Sequence, residues 1–227
     1  MKVIIYSVNI GGYDMFKNPK NYDPNVRYIL FTDNKYFKSD IWEVNHIDFI
    51  DSSLDSRLKA RYLKTNPHKV LPNHDVSIWI DHCFDYKFTN VEDMINDIGF
   101  NNENIMLYKH EERQCIYREG KKVIEMKLEI PEIVESQMLK YSNEGFPKNF
   151  GLYQSGFMFR KNNKKVNEFN DIWWNEIKNH SGRDQLSQVY ASWKSNLSIG
   201  SIINKGSVYS NKYLFPKVKH TKKWSPK

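Results

Sequence analysis

The chain is poor in the residues that staple small folds and in the runs that cross membranes. Only two cysteines, Cys83 and Cys115, occur in 227 residues. They cannot build a disulfide framework, and they fit a reducing compartment. Neither stands in a Cys-x-x-Cys spacing, which argues against a structural zinc. No apolar stretch approaches the ~20 residues of a membrane-spanning helix. Met1 to Val8 carries a short apolar run but no small-residue cleavage site, so it reads as a first strand and not a signal peptide. These features predict a soluble, cytoplasmic protein. Acidic residues are missing altogether after position 200, where Lys205, Lys212, Lys217, Lys219, Lys222, Lys223 and Lys227 stand alone. Those lysines equal the whole excess of +7, the difference between 34 basic and 27 acidic residues. The remaining body is electrically balanced, which argues against a nucleic-acid partner, since that needs a basic stripe over a folded face. The basic end suits a phosphate-binding lid, a weak peripheral dock on an anionic membrane, or a merely solvated tail.

What is present is enough for one large α/β domain. Hydrophobic residues make up 40% of the chain and aromatics 15%, the latter common in large cores and in clefts that stack on bases or sugars. Strand patterns at Val3–Val8, Arg27–Thr32, Val76–Ile80, Asn104–Tyr108 and Gly156–Arg160 alternate with helical ones. Helices are expected over residues 55–65, Val91–Ile98, most of 112–143 with Pro131 at a start, Lys164–Asn179 and Arg183–Trp193. This alternation predicts an α/β/α sandwich with a mainly parallel central sheet. Residues 1–200 form its single domain and 201–227 a basic C-terminal segment.

Several constellations can carry chemistry. The run Ser77-Ile78-Trp79-Ile80-Asp81 is a buried strand that delivers a carboxylate to the rim of the sheet, where open α/β sheets bind ligands. Strand one, which includes Tyr6, leads into Asn9-Ile10-Gly11-Gly12-Tyr13-Asp14, a turn whose glycines permit close backbone approach. It is neither a dinucleotide fingerprint nor a P-loop. Asp33 ends strand two and can accept from a base or a ribose hydroxyl. Arg57, Arg61 and Lys64 fall on one helix face, with Asp55 a candidate cap, and suit a diphosphate; a solvated charged face is the bland alternative. Asp184-Gln185 opens a late helix, where the acid can serve the helix terminus or a polar ligand. His110 and Arg113 follow a strand. His220, Lys222, Lys223 and Trp224 stand in the tail, where they can fold over a nucleotide or remain solvated.

Together these segments resemble the glycosyltransferase-like family of the plant turgor-regulation-defect and mucilage-related proteins. The shared elements, in family order, are Gly-Gly-Tyr-Asp, Phe31-Thr32-Asp33, Arg57 to Arg61, Pro67 to Pro72, Ser77 to Asp81, Lys109 to Arg113, Gln137-Met138 with Tyr141, Gly151-Leu152, Trp173-Trp174 and Arg183 to Ser187. The resemblance implies a GT-A fold, a Rossmann-type sandwich that binds a nucleotide-diphosphate sugar. More distantly the layout is similar to family 8 glycosyltransferases. There an Asp-x-Asp motif ends a strand, an Asp-Gln opens a late helix, and a C-terminal His and Lys close over the diphosphate. Asp81 matches the first Asp, but Cys83 occupies the second position and His82 stands where the plant relatives usually have Gly.

The resemblance implies transfer of a sugar from a nucleotide-diphosphate sugar, a UDP-sugar favoured, to a hydroxyl of a glycan or lipid-linked glycan. Asp81 and Asp184 are the expected catalytic residues. Tyr6, Asn9, Gly11, Asp33, Arg57, Arg61 and Lys222 are expected on the nucleotide sugar, and His110, Arg113 and Gln185 on the sugar or acceptor. Asp81 and His220 are expected to hold Mn²⁺ or Mg²⁺. A catalytically inactive GT-A binder of nucleotide sugars or glycans is the alternative.

Overall fold

A computed structural model describes residues 1–202 and 206–222. Seven strands form one sheet: β1 (Val3–Asn9), β2 (Arg27–Thr32), β3 (Trp42–His46), β4 (Val76–Ile80), β5 (Ile105–Lys109), β6 (Tyr153–Lys161) and β7 (Gly200–Ser201). Their spatial order is β3-β2-β1-β4-β6-β5-β7. β6 runs antiparallel to both its neighbours, β4 and β5, and every other pairing is parallel. The expected α/β class with a mostly parallel sheet is therefore present.

The strands read as continuous apolar runs because both sheet faces are covered. On one face Ile4, Tyr6, Phe31, Trp79 and Met158 pack under α1 (Ser56–Thr65), α6 (Lys164–Asn179) and α7 (Gln185–Lys194) through Leu63, Phe169, Trp173 and Ala191. On the other, Ile5, Leu30, Ile78 and Phe157 pack under Val91, Met94 and Ile95 of α3 (Val91–Asp97), and under Val208, Tyr213 and Leu214. The C-terminal segment is thus partly core: Val208 and Leu214 are each 2% exposed. The expected boundary at residue 200 falls inside β7.

Residues 112–143 divide into α4 (Ile116–Glu125) and α5 (Pro131–Asn143), with Pro131 in the first turn of the second. A four-residue helix, α2 (Pro67–Val70), follows α1 directly. Sequence patterning missed β3, an edge strand with only Trp42 fully buried, and β7, which is two residues long. Asp55 caps α1 as expected, accepting the Leu58 N–H at 2.8 Å.

Candidate functional site

β1 and β4 lie side by side and parallel at the centre of the sheet, so their carboxyl ends open onto the same rim. A cleft of about 430 Å³ occupies that rim. The turn after β1, the end of β4, α1, the start of α7 and the C-terminal segment all line it. This is the crevice that strand polarity creates in open α/β sheets.

The floor is a buried ion cluster. Lys64, on the last turn of α1, is 1% exposed. Its Nζ lies 2.7 Å from Asp184 Oδ2, 3.5 Å from Asp81 Oδ1 and 3.1 Å from Ser155 Oγ. Ser155 donates to Asp184 at 2.8 Å, and Arg61 stands 3.4 Å from the same carboxylate. Burial alone would raise the Asp184 pKa. The charges of Arg61 and Lys64, with hydrogen bonds from Lys64 and Ser155, outweigh it and hold the carboxyl well below the usual carboxylate range. Asp184 is therefore a permanent carboxylate of very low basicity. It occupies the N-cap position of α7 without a capping hydrogen bond from its side chain.

Asp81 is positioned by its own strand and by the neighbouring β6. Its N–H donates to the Gly156 carbonyl at 2.9 Å, and Trp79 Nε1 donates to Oδ1 at 2.7 Å. A Cβ at residue 156 would stand 3.1 Å from Asp81 Oδ2, so glycine leaves that oxygen room. Arg160, 1% exposed, braces the floor from behind by donating to the Lys64 carbonyl at 2.7 Å and to Asn170 at 2.9 Å.

The rim is different. Arg183, Lys217, Lys219 and Lys222 line the cleft, and none of them has an ion pair among the described residues. Lys222 instead donates to the Gly11 carbonyl at 2.6 Å. Tyr13 and Tyr209 add two aromatic rings to the lining, and Tyr209 is 53% exposed.

Of the residues singled out from sequence, Asp81, Asp184, Arg57, Arg61, Gln185, His220 and Lys222 come together here. Arg57 and Arg61 are not free for a ligand: Arg57 pairs with Glu129 at 2.9 Å and Arg61 with Asp184. Tyr6, Asn9, Gly11, Asp33, His110 and Arg113 do not line the cleft. Tyr6 points into the core, wholly buried. Its hydroxyl donates to the Lys64 carbonyl at 2.8 Å, and burial pushes its pKa up to about 12. Asn9 grips the turn below it, donating to the Asp14 carbonyl at 2.8 Å and accepting the Asp14 N–H at 3.2 Å. Asp33 accepts the Gly11 N–H at 2.9 Å, so it tethers the same turn. His110 and Arg113 lie beyond β5, which β6 separates from β4. There Arg113 pairs with Glu112 and Glu119, and His110 Nδ1 accepts the Glu112 and Arg113 N–H groups. Lys223 and Trp224 lie outside the described residues.

Lys64, expected with Arg57 and Arg61 on a diphosphate, is instead buried against Asp184, and Ser155, Arg183, Tyr209 and Asp14 were not assigned site roles from sequence. Only the Ser155-Gly156 pair of small residues inside an apolar strand offered a signal.

The implied divalent cation has a partial donor set. Among the described residues no three His, Cys, Asp or Glu side chains form a metal-binding group. Cys83 is 3% exposed, and burial, with the charges of Asp81 and Asp14, raises its thiol pKa. Asp85 is turned away, accepting the Lys20 and Tyr86 N–H groups at 2.8 and 2.9 Å. Asp81 and His220 do face the same cleft. A carboxylate and an imidazole, completed by phosphate oxygens and water, fit Mn²⁺ or Mg²⁺ chemistry.

Residues 1–220 match the TOD1/MUCI70, glycosyltransferase-like domain, and the chain belongs to that family. No curated protein matches it.

Proposed function

We propose that this glycosyltransferase-like chain transfers a sugar from a nucleoside-diphosphate sugar, UDP-linked in the first instance, to a hydroxyl of a glycan or lipid-linked glycan. The observation that carries the reading is the uncompensated positive rim over the carboxyl ends of β1 and β4. Among the described residues Arg183, Lys217 and Lys219 face the cleft without a carboxylate partner, while every cation of the floor has one. An unpaired cluster of this kind suits a diphosphate, whose charge grows as the glycosidic bond breaks.

The floor suits the sugar. Asp184 and Gln185 line the cleft where hydroxyl groups would lie, Lys64 and Ser155 fix the Asp184 carboxylate from behind, and Asp184 adds a negative charge beside an oxocarbenium-like centre. The charges of Arg61 and Lys64, which hold its pKa low, make Asp184 better suited to holding a hydroxyl or a developing positive charge than to taking up a proton. A divalent cation held by Asp81 and His220 would neutralise the leaving diphosphate. Tyr209 and Tyr13 offer ring faces for a base or a pyranose.

The test is calorimetric titration of UDP, ADP and GDP, followed by a nucleotide-sugar hydrolysis and transfer panel with and without Mn²⁺. UDP binding with turnover of one donor supports the reading. No binding by any nucleotide overturns it. Binding without turnover selects the second reading, an inactive nucleotide-sugar binder, which Cys83 at the second motif position favours.

A further inference from the structure

Asp14 has no role in the reading above, yet its carboxylate is 9% exposed and its Oδ1 lies 2.6 Å from His220 Nδ1. A carboxylate can only accept, so the imidazole donates from Nδ1–H, and of the two neutral tautomers the pairing selects the one with its lone pair on Nε2. Nε2 makes no hydrogen bond among the described residues.

Both partners are held in place. Asn9 clamps the Asp14 backbone from two sides, and Gly11 and Gly12, at φ 67° and 62°, allow the turn that carries it. The His220 ring lies on Tyr13, with centroids 4.4 Å apart. The next residue, Thr221, pins the strap with its N–H to the Tyr13 carbonyl at 3.0 Å and its hydroxyl to the Gly12 carbonyl at 2.7 Å. A clasp that only closed the strap would not need an imidazole at this point. A carboxylate that fixes one imidazole nitrogen so the other can bind a cation is a recurring arrangement around metal-ligating histidines.

We infer that Asp14 is a positioning residue, whose carboxylate fixes the Nδ1–H tautomer of His220 and so presents Nε2 to the cleft as a donor for the divalent cation that accompanies the diphosphate. This rests on the nucleotide-sugar reading for its ligand. Asp14→Asn is the sharpest variant. It keeps the shape, but its amide can donate to Nδ1 and force the proton onto Nε2, the wrong tautomer for a ligand.

The experiment combines two measurements on the full chain. Imidazole ¹⁵N shifts of His220 report the tautomer, and UDP is titrated in EDTA or in Mn²⁺. Wild type is expected to show Nδ1–H and tighter UDP binding in Mn²⁺. Asp14→Asn is expected to move the proton to Nε2, to leave UDP affinity in EDTA unchanged, and to lose about 10- to 100-fold of the Mn²⁺-dependent affinity. His220→Ala should lose as much, and the double variant no more. Wild-type tautomer or full Mn²⁺ tightening in Asp14→Asn overturns the inference. So does a wild type that binds UDP without any response to Mn²⁺, an outcome that leaves the nucleotide reading standing. Failure to bind UDP under either condition overturns both. If Asp14→Asn does not fold, paramagnetic broadening of the wild-type His220 signals by Mn²⁺ with UDP decides: its absence overturns the inference.

Discussion

The floor and the rim of the cleft are both rich in cations, but they handle charge in opposite ways. Floor cations are buried or half-buried and matched: Lys64 with Asp184, Arg61 with Asp184, Arg57 with Glu129. Their attraction is internal and fixes side-chain positions. Rim cations, Arg183, Lys217, Lys219 and Lys222, are more accessible and lack carboxylates among the described residues. Their field remains available to an anion. The difference separates two jobs that composition alone merges, since every lysine counts equally toward a net charge of +7. Paired floor charge can fix the shape of a pocket, and unpaired rim charge can attract an anion.

Breaking the floor should have the largest effect. Lys64→Met leaves Asp184 buried with Arg61 as its remaining ion partner, and should cost about 3–5 kcal/mol in urea unfolding. Replacing Asp184 by Leu in the same protein should recover most of that loss. A single variant as stable as wild type would show that the floor cluster is not a matched unit.

The wall behind the floor offers a pH test. Burial, with the nearby Lys17 charge, lowers the His82 pKa from 6.5 to about 4, and its Nε2 has no partner. The unfolded chain takes up that proton near its ordinary value, while the folded chain resists it. Stability should therefore fall as pH drops from about 6.5 to about 4, by about 3 kcal/mol in full, and be flat in this respect above that window. His82→Phe, which can keep the ring contacts with Phe16 and Trp42, should remove this part of the slope when unfolding is compared at pH 7 and pH 4.5. An unchanged slope in the variant would place the pH sensitivity elsewhere.

Asp81 sits where floor meets rim, 37% exposed in its side chain. Asp81→Asn should lower transfer about 10²-fold with little change in melting temperature. Full activity in that variant would remove Asp81 from the chemistry.

The smallest effect belongs to the rim. Lys217→Gln with Lys219→Gln should weaken UDP binding about tenfold at low salt, less at high salt, and leave unfolding within about 0.5 kcal/mol of wild type. A large stability loss would mean that the rim, like the floor, is structural.

Much of the frame was legible in sequence. Val76 to Ile80 reads as a buried strand, and Asp81 follows it directly, so a carboxylate on the rim was a local deduction. Asp55 ahead of α1, the cation face of that helix and the helical stripe of Val166, Phe169, Trp173 and Ile177 were legible for the same reason: three- and four-residue spacing is a local property. Tyr6 shows the limit. Its position on β1 was correctly a strand position, but the face it occupies packs on α1 and Trp79 and not on the cleft. His110 and Arg113 likewise follow a strand end, yet on β5, which β6 separates from the cleft strand β4.

The sequence by itself determined the α/β class, the apolar strands and the carboxylate and glycines at their ends, because burial and backbone freedom are encoded over a few residues. Only the tertiary structure decided which charges cancel. His220 meets Asp14 across 206 positions of chain, Lys64 meets Ser155 across 91, and Arg61 reaches the Gly182 carbonyl across 121. Those meetings depend on strand order and on which sheet face each helix covers, and electrostatic pairing acts through space between groups that no local pattern connects.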